Sequence, residues 1–410
     1  MMEHNLEDYI QPYLTAGDFS GIILIAQKDN ILIQKAYGCA NSDAQILNKL
    51  DTKFRIASLT KTFTAAAIVL LLEGAKLTLS TPLSAFLPNF PHGEKITIKH
   101  LLMHASGVGA LDSPEVYLNE LSTEELLAHL RKTPPQFEPG SNSRYSNEGY
   151  FLLAVLIERI SGVSYETFLQ EQFFQPLGIH DMGNMLGSWD VGNHATGYVP
   201  SSQGVLPLAF DPLALMGAGS LYATAPDLLR WMNALRTNQF IHFDKLPYPV
   251  GWGKRNYEGH DLIEQSGLVE GFTAYLALYP KEEFTVVFLS NIQSGLFNRI
   301  AKDMACILFG GELSRPPIHQ QVSLDVADYA GEYTTPAVPV PMNMVIQDGD
   351  LFMRWGDYPF LRFLTPIARD HFFLRAEYAD VGFERDPTGK VIQSTWIWDH
   401  GEPLILSRRS

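Results

Sequence analysis

The sequence predicts an α/β unit with an all-α unit packed on it, a cleft between the two, and a small all-β barrel at the C-terminal end. Three observations carry this. Strand-like runs stand on both sides of a long helical stretch, at residues 21–37 and again at 273–289. The run Ala65-Ala66-Ala67-Ile68-Val69-Leu70-Leu71-Leu72 is apolar on every helical face, which argues burial on all sides. Beyond Pro316-Pro317 the pattern changes to short alternating runs separated by turn residues.

Taken in order, residues 1–14 read as an acidic amphipathic helix. Residues 21–27 and 30–37 flank Lys28-Asp29-Asn30 as a hairpin. A long helix is expected from Ser58 to Glu73, with Gly74 as its C-cap. From residue 80 to 235 the chain reads as mostly helical with long loops. Helices are expected at 123–131 and 150–160, the second ended by Ser161-Gly162. Another is expected at 228–235 behind the N-cap signal Thr224-Ala225-Pro226-Asp227. Strands return at 273–279 and 285–289, and a closing helix follows at 296–309. Strands from the two ends of such a unit can pair across the helical insertion. The C-terminal part shows alternating runs at 344–347, 351–355, 372–376, 382–385 and 390–398. Asp348-Gly349 and Pro387-Thr388-Gly389 stand there as turns. The expected division is 1–312, a linker at 313–321, and a barrel or sandwich at 322–410.

Composition bounds the function classes. With 410 residues, 46% hydrophobic and 18% charged, the chain can fill two or three packing units. A formal net charge of −15 repels phosphate backbones and anionic lipid, so no nucleic-acid or membrane-surface partner is expected. The longest apolar run falls well short of the ~20 residues of a membrane span. Met1-Met2-Glu3-His4-Asn5-Leu6-Glu7-Asp8 has neither a basic nor an apolar leader segment. The expectation is a cytoplasmic protein as written, or a periplasmic or secreted one had a leader been trimmed. Cys39 and Cys306, far apart and without a C-x-x-C partner, are expected to be buried free thiols.

The chemistry concentrates in three short motifs. Ser58-Leu59-Thr60-Lys61 places a hydroxyl and an amine three residues apart on one helical face. Ser58 then stands at a helix N-terminus, where free N–H groups favour a developing oxyanion. The apolar run behind it buries Lys61, and burial lowers a lysine's pKa toward that of a usable base. Tyr145-Ser146-Asn147, behind the Pro139-Gly140 turn, offers a phenol and an amide. The phenol can donate to a leaving group or, as phenolate, accept the Ser58 proton; the Asn147 amide can bind Lys61 and substrate. Tyr117-Leu118-Asn119 repeats the Tyr-x-Asn pattern without the Pro-Gly turn. Gln265-Ser266-Gly267 precedes the run 273–279. There a strand edge can line the cleft, Gly267 allows close backbone approach, and the Leu268 and Ser58 N–H groups form an oxyanion hole.

In this order the three motifs resemble the serine β-lactamase and penicillin-binding-protein superfamily, above all class C β-lactamases, D-Ala-D-Ala carboxypeptidases and the family's esterases. Further stretches share the likeness: Phe54-Arg55-Ile56-Ala57 before Ser58, His100-Leu101-Leu102-Met103-His104-Ala105-Ser106-Gly107, Gly217-Ala218-Gly219-Ser220-Leu221, and Gly271-Phe272. The resemblance spans residues 8–310. It implies a β-lactamase/transpeptidase-like fold, an antiparallel sheet flanked by helices with a helical subdomain. It implies Ser58 as acylated nucleophile, Lys61 as base, Tyr145 as acid and base, and Asn147 as substrate ligand, with no cofactor. The C-terminal part resembles the lipocalin-like appendages of some family peptidases and esterases. One departure matters. The family carries Lys or His where this chain has Gln265, and a neutral amide cannot hold a substrate carboxylate by charge.

Competing motifs are weaker. His100 and His104 lack the glutamate and third ligand of a zinc helix, so no metal site is expected. There is no Gly-x-Ser-x-Gly elbow. Trp355, Tyr358, Phe360, Trp396 and Trp398 read as barrel core, with the lining of a ligand pocket as the alternative. The expected function is a serine hydrolase of small esters, amides or peptides with weak β-lactam turnover. A D-stereospecific peptidase, carboxypeptidase or β-lactamase is the alternative. A catalytically silent penicillin-binding-like protein is the reading from outside enzymes. Oligomeric state is open at this level.

Overall fold

A computed structural model describes residues 2–111, 116, 121–185, 192–202, 204–207, 215–239, 250–311, 313, 321–398 and 402–409. Tyr117-Leu118-Asn119 and Pro316-Pro317 lie outside the described residues.

The N-terminal strand Gly21–Gln27 explains the architecture. Ile22, Leu24 and Ala26 enter one core, while Ile23 and Ile25 enter another on the opposite face. Successive strand side chains point to opposite faces, so an unbroken apolar run belongs in a sheet covered on both sides. The first core also holds the helices Thr60–Glu73, Asn147–Ser161 and Ala225–Arg236. The second lies beneath the terminal helices Met2–Ala16 and Phe297–Phe309.

The sheet has six strands in the order Gly253–Tyr257, His260–Val269, Phe272–Tyr279, Phe284–Ser290, Gly21–Gln27, Asn30–Tyr37. All neighbours are antiparallel. Gly21 pairs with Ser290 and Gln27 with Phe284, so the two ends of this part of the chain close the sheet across the helical insertion.

Within that insertion the sequence reading is incomplete. Small strands stand at Gly183–Asn184, Tyr198–Ser201, Gly204–Pro207 and Leu221–Ala223. The last pairs with Phe54–Arg55, and the Ile56 N–H continues the pairing onto the Leu221 carbonyl at 3.0 Å. Those bonds anchor the chain just before Ser58. Cys306 is a buried free thiol as expected. Cys39 is also free, but it is half-buried, because it starts the short surface strand Cys39–Asn41. No helix among the described residues is long and apolar enough to cross a membrane.

The C-terminal part is a closed eight-stranded antiparallel barrel, from Gly331–Thr335 to Leu404–Arg408, the first strand pairing with the last. Tyr333, Met342, Met353 and Trp396 fill its interior. Arg375 ties it to the other part, donating to Asp18 at 2.5 Å and to the Ala16 carbonyl at 2.9 Å. Phe360 packs against the first core of the sheet. These contacts set residues 355–362 beside the cleft.

Candidate active site

Ser58 sits in a one-turn 3-10 helix, Ala57–Leu59, that leads straight into the buried helix Thr60–Glu73. The residue before it, Ala57, has a φ of 46°, a left-handed conformation that a non-glycine residue adopts only under constraint. The constraint is the Phe54–Arg55 pairing on one side and the helix on the other.

Lys61 is 1% exposed. Its Nζ donates to the Asn147 Oδ1 at 2.7 Å, to the Ala218 carbonyl at 2.8 Å and to Ser58 Oγ at 3.2 Å. Two fixed acceptors therefore hold two N–H bonds. The third position of the tetrahedral nitrogen faces Ser58, whether it carries a proton or a lone pair. Burial pulls Lys61 down from 10.5 to about 7, with Glu148 opposing. The same amine can thus donate or accept toward Ser58 without moving.

Tyr145 donates from its hydroxyl to Ser58 Oγ at 2.7 Å. Burial pushes its phenol up to about 12, against the opposing Ser58 hydrogen bond. The residue as a whole is 54% exposed, and solvent at the outer ring edge softens that push. Its direction still leaves a phenol, so of the two roles read from the sequence the structure favours the proton donor over the phenolate. Asn147 begins the helix Asn147–Ser161, whose N-cap is Ser146, bonded by the Gly149 N–H at 3.0 Å. That cap places Tyr145 and Asn147 on either side of one fixed residue.

His104, half of the histidine pair weighed for metal, holds Tyr145 in place. Its ring stacks on the tyrosine at 4.6 Å between centroids. Its Nδ1 accepts from the Ser146 N–H at 3.0 Å, and its carbonyl accepts from the Arg144 N–H at 2.9 Å. The two backbone neighbours of Tyr145 are both tied to this one residue. Burial, and then the Lys61 charge, lower His104 to about 4, so it is a neutral ring. His100 serves elsewhere, accepting from the Thr97 N–H in a helix cap at 3.3 Å. Among the described residues no group of three or more His, Cys, Asp or Glu could hold a metal ion.

Gln265, Ser266, Gly267 and Leu268 lie on the strand His260–Val269. Val269 and Phe272 close a two-residue hairpin over Glu270-Gly271. In such a turn the closing pair exchanges both ladder bonds, so alternate residues bond the inner strand. Ser266 and Leu268 then turn N–H and C=O to the other edge. Gly253–Tyr257 pairs with that edge along His260 to Glu264, and the Ser58 turn takes the next stretch. A Cβ on Gly267 would stand 2.6 Å from the Ile56 carbonyl oxygen and 3.0 Å from the Ser58 nitrogen. Glycine is therefore required by the backbone around Ser58. Gly217 plays a similar part below Lys61, where a Cβ would meet Ala154 at 2.5 Å.

The family model described as Beta-lactamase matches residues 6–308. The chain belongs to the beta-lactamase family. It is 28% identical to a penicillin-binding protein of Bacillus subtilis, over 93% of this chain and 94% of that one. Its fold matches an octameric penicillin-binding protein homologue from Pyrococcus abyssi with a TM-score of 0.70 and 24% identity, covering 99% of this chain and 100% of the other. The D-amino acid amidase from Ochrobactrum anthropi SV3 shares the fold at a TM-score of 0.65 and 21% identity, over 73% of this chain and 94% of its own. The chain is accordingly a serine hydrolase of the beta-lactamase and penicillin-binding-protein type.

Within this beta-lactamase-family frame, Gln265 turns its amide onto the Ser58 turn, donating from Nε2 to the Ser58 carbonyl at 3.3 Å. A cavity of about 300 Å³ opens beside the site. Asn147, Leu268 and Glu270 line it from one side, and Trp355, Tyr358 and Arg362 of the barrel from the other. Two of the aromatic residues read as barrel core thus face the cleft. Trp396 is in the barrel interior, with Trp398 packed against it. His104, the Ala218 carbonyl and Glu270 were not identified as site residues from the sequence. The short residues at 217–220 were the only signal for the second of these.

Proposed function

We propose that the protein hydrolyses small esters or amides through an acyl-enzyme on Ser58, with weak turnover of β-lactams. The observation that carries this reading is that Ser58 Oγ lies within hydrogen-bond reach of both Lys61 Nζ, at 3.2 Å, and Tyr145 OH, at 2.7 Å. A base with a pKa of about 7 is neutral in about half of the molecules at pH 7, and its lone pair takes the Ser58 proton. Oγ then attacks the carbonyl carbon. The oxyanion sits between the Ser58 and Leu268 N–H groups. Tyr145 gives its proton to the leaving group and regains one from Lys61. Water, deprotonated by the same pair, releases the acid. Asn147, Gln265, Ser266, Gly267 and Leu268 border the bound acyl group. The hydrolase part is 1–312, and the barrel, 322–410 after a linker at 313–321, forms the far wall of the cleft.

Gln265 supports the lean away from β-lactams, because a neutral amide bonded to the Ser58 carbonyl leaves no cation for their carboxylate. Amides join esters because one structural neighbour is a D-amino acid amidase. The test is intact-protein mass spectrometry of wild type and Ser58→Ala with a fluorophosphonate, a short p-nitrophenyl ester and a penicillin. A Ser58-dependent adduct with ester turnover and little penicillin turnover is expected. Rapid penicillin turnover sinks the ester and amide preference. No adduct on either protein moves the silent binding protein to first place.

A further inference from the structure

The cavity beside Ser58 has an unequal charge inventory. Arg362 is the one cation among the described residues that line it. That one charge is shared by two carboxylates, because Nη1 is in contact with Glu377 and Glu270 also acts on the guanidinium. The Trp355 indole N–H donates to the same Glu377 oxygen at 3.2 Å. Glu270, at the tip of the hairpin that carries Gln265 and Leu268, also lines the cavity and is 4% exposed. Its Oε1 accepts from the Tyr358 hydroxyl at 2.6 Å, a neutral partner supplied by the barrel. Arg362, Glu377 and Glu270 together leave one buried carboxylate in excess. A carboxylate held out of water without a cation of its own is costly, and a ligand that brings the missing charge relieves that cost. An anionic ligand would add to it. At about 300 Å³ the cavity has room for a small ligand such as an aminoacyl group.

We propose that Glu270 selects substrates whose acyl part carries a protonated amine, so that the preferred substrates are small aminoacyl esters or amides with a free ammonium group. This rests on the Ser58 hydrolase reading. It draws on groups that reading does not use: the hairpin tip Glu270 and the barrel wall Trp355, Tyr358 and Arg362. Two features act in the same direction. Gln265 withholds a cation from a substrate carboxylate, and Glu270 offers an anion to a substrate amine. The aromatic faces of Trp355 and Tyr358 add a favourable surface for an ammonium.

The test uses the full chain and three p-nitroanilides, of alanine, N-acetylalanine and N-succinylalanine, each as both enantiomers. They present an ammonium, a neutral amide and a carboxylate at the same place. Wild type is expected to favour the ammonium over the neutral substrate in kcat/KM, and the neutral over the anionic. Glu270→Gln is expected to lower the ammonium-to-neutral ratio by about tenfold. Tyr358→Phe, which keeps the carboxylate and loses only its hydrogen bond, keeps the order. Ser58 labelling by a fluorophosphonate reports the hydrolase reading separately. A labelled enzyme that prefers the succinyl substrate, or that ignores the alanine anilide, overturns the ammonium selection and leaves the hydrolase standing. So does a Glu270→Gln variant whose melting temperature is unchanged and whose ratio does not move. Failure of wild type to label overturns both.

Discussion

The two walls of the cleft are held by different means. On the hydrolase side, Ser58, Lys61, Tyr145 and Asn147 are fixed by backbone. The Ala218 carbonyl holds Lys61, the Ser146 cap orients Asn147, and the Ser146 and Arg144 N–H groups tie Tyr145 to His104. On the barrel side, the side-chain tips of Trp355, Tyr358 and Arg362 are held by other side chains, Glu377 and Glu270. A group tied largely to backbone depends on fewer side chains for its place. A side-chain-held group moves with each substitution. The difference separates a wall built for chemistry from one built to discriminate, and it orders the effects of mutation.

The largest loss tests the chemical wall itself. Ser58→Ala should lower ester kcat/KM by about 10,000-fold or more, and Lys61→Met should come close to it, because residues acting as one unit fail together. Stopped ester assays on both variants check this. A Lys61→Met enzyme with a tenth of wild-type activity would break the comparison, since another base would then serve Ser58. The pH profile sharpens it. Lys61 is lowered to about 7, so it is an ammonium below that value and a free amine above. The rate of acylation should therefore rise with pH through a midpoint near 7 and fall off on the acid side. His104, lowered to about 4, stays neutral across this range, so His104→Asn should leave the midpoint in place.

Next in size is Gly267→Ala. Its Cβ would press on the Ile56 oxygen and the Ser58 nitrogen, and displacing a nucleophile by a fraction of an ångström to an ångström costs roughly 100-fold. The kcat should fall and the melting temperature should fall with it, because the clash is with backbone rather than with a side chain that can swing aside. His104→Asn follows, with about tenfold lost from kcat as Tyr145 gains freedom. The smallest effect belongs to the other wall. Tyr358→Phe should change KM by about threefold and leave kcat nearly alone, because it removes one hydrogen bond on the barrel wall and none to Ser58, Lys61 or Tyr145. A kcat effect at Tyr358 as large as that at His104 would erase the distinction between the walls.

Much of the fold was legible because apolar patterning reports burial directly. The run Gly21–Gln27, the helix Thr60–Glu73 and the hairpin at Asp348-Gly349 are written in their side chains. The barrel strand Arg362–Ala368 escaped notice because Pro366 sits inside it. The strand tolerates that proline at a register shift between Pro366 and Ala368. The strand His260–Val269 was hidden by its half-buried, polar-rich pattern, which is what an edge facing a cleft requires. At the site, Ser58, Lys61, Tyr145 and Asn147 were found through side-chain types at fixed spacings. The Ala218 carbonyl has no side-chain signature. His104 was assigned no role because its contact is with a stacked ring 41 residues later in the chain, at Tyr145.

The pairing of Gly21 with Ser290 has a consequence for how the protein is made. The first hairpin leaves the ribosome long before the strand that must cover its second edge. In that interval Ile22, Ile23, Leu24 and Ile25 have neither core, and one row of backbone N–H and C=O groups stands open to any passing strand. The helix Ala225–Arg236, which packs on Gly21–Gln27 and on the strand that must cover it, cannot settle either. Synthesis past Ser290 therefore acts as the starting signal for assembly of the catalytic part, and a chain that stalls before it presents the cell with an adhesive β-edge instead of an enzyme.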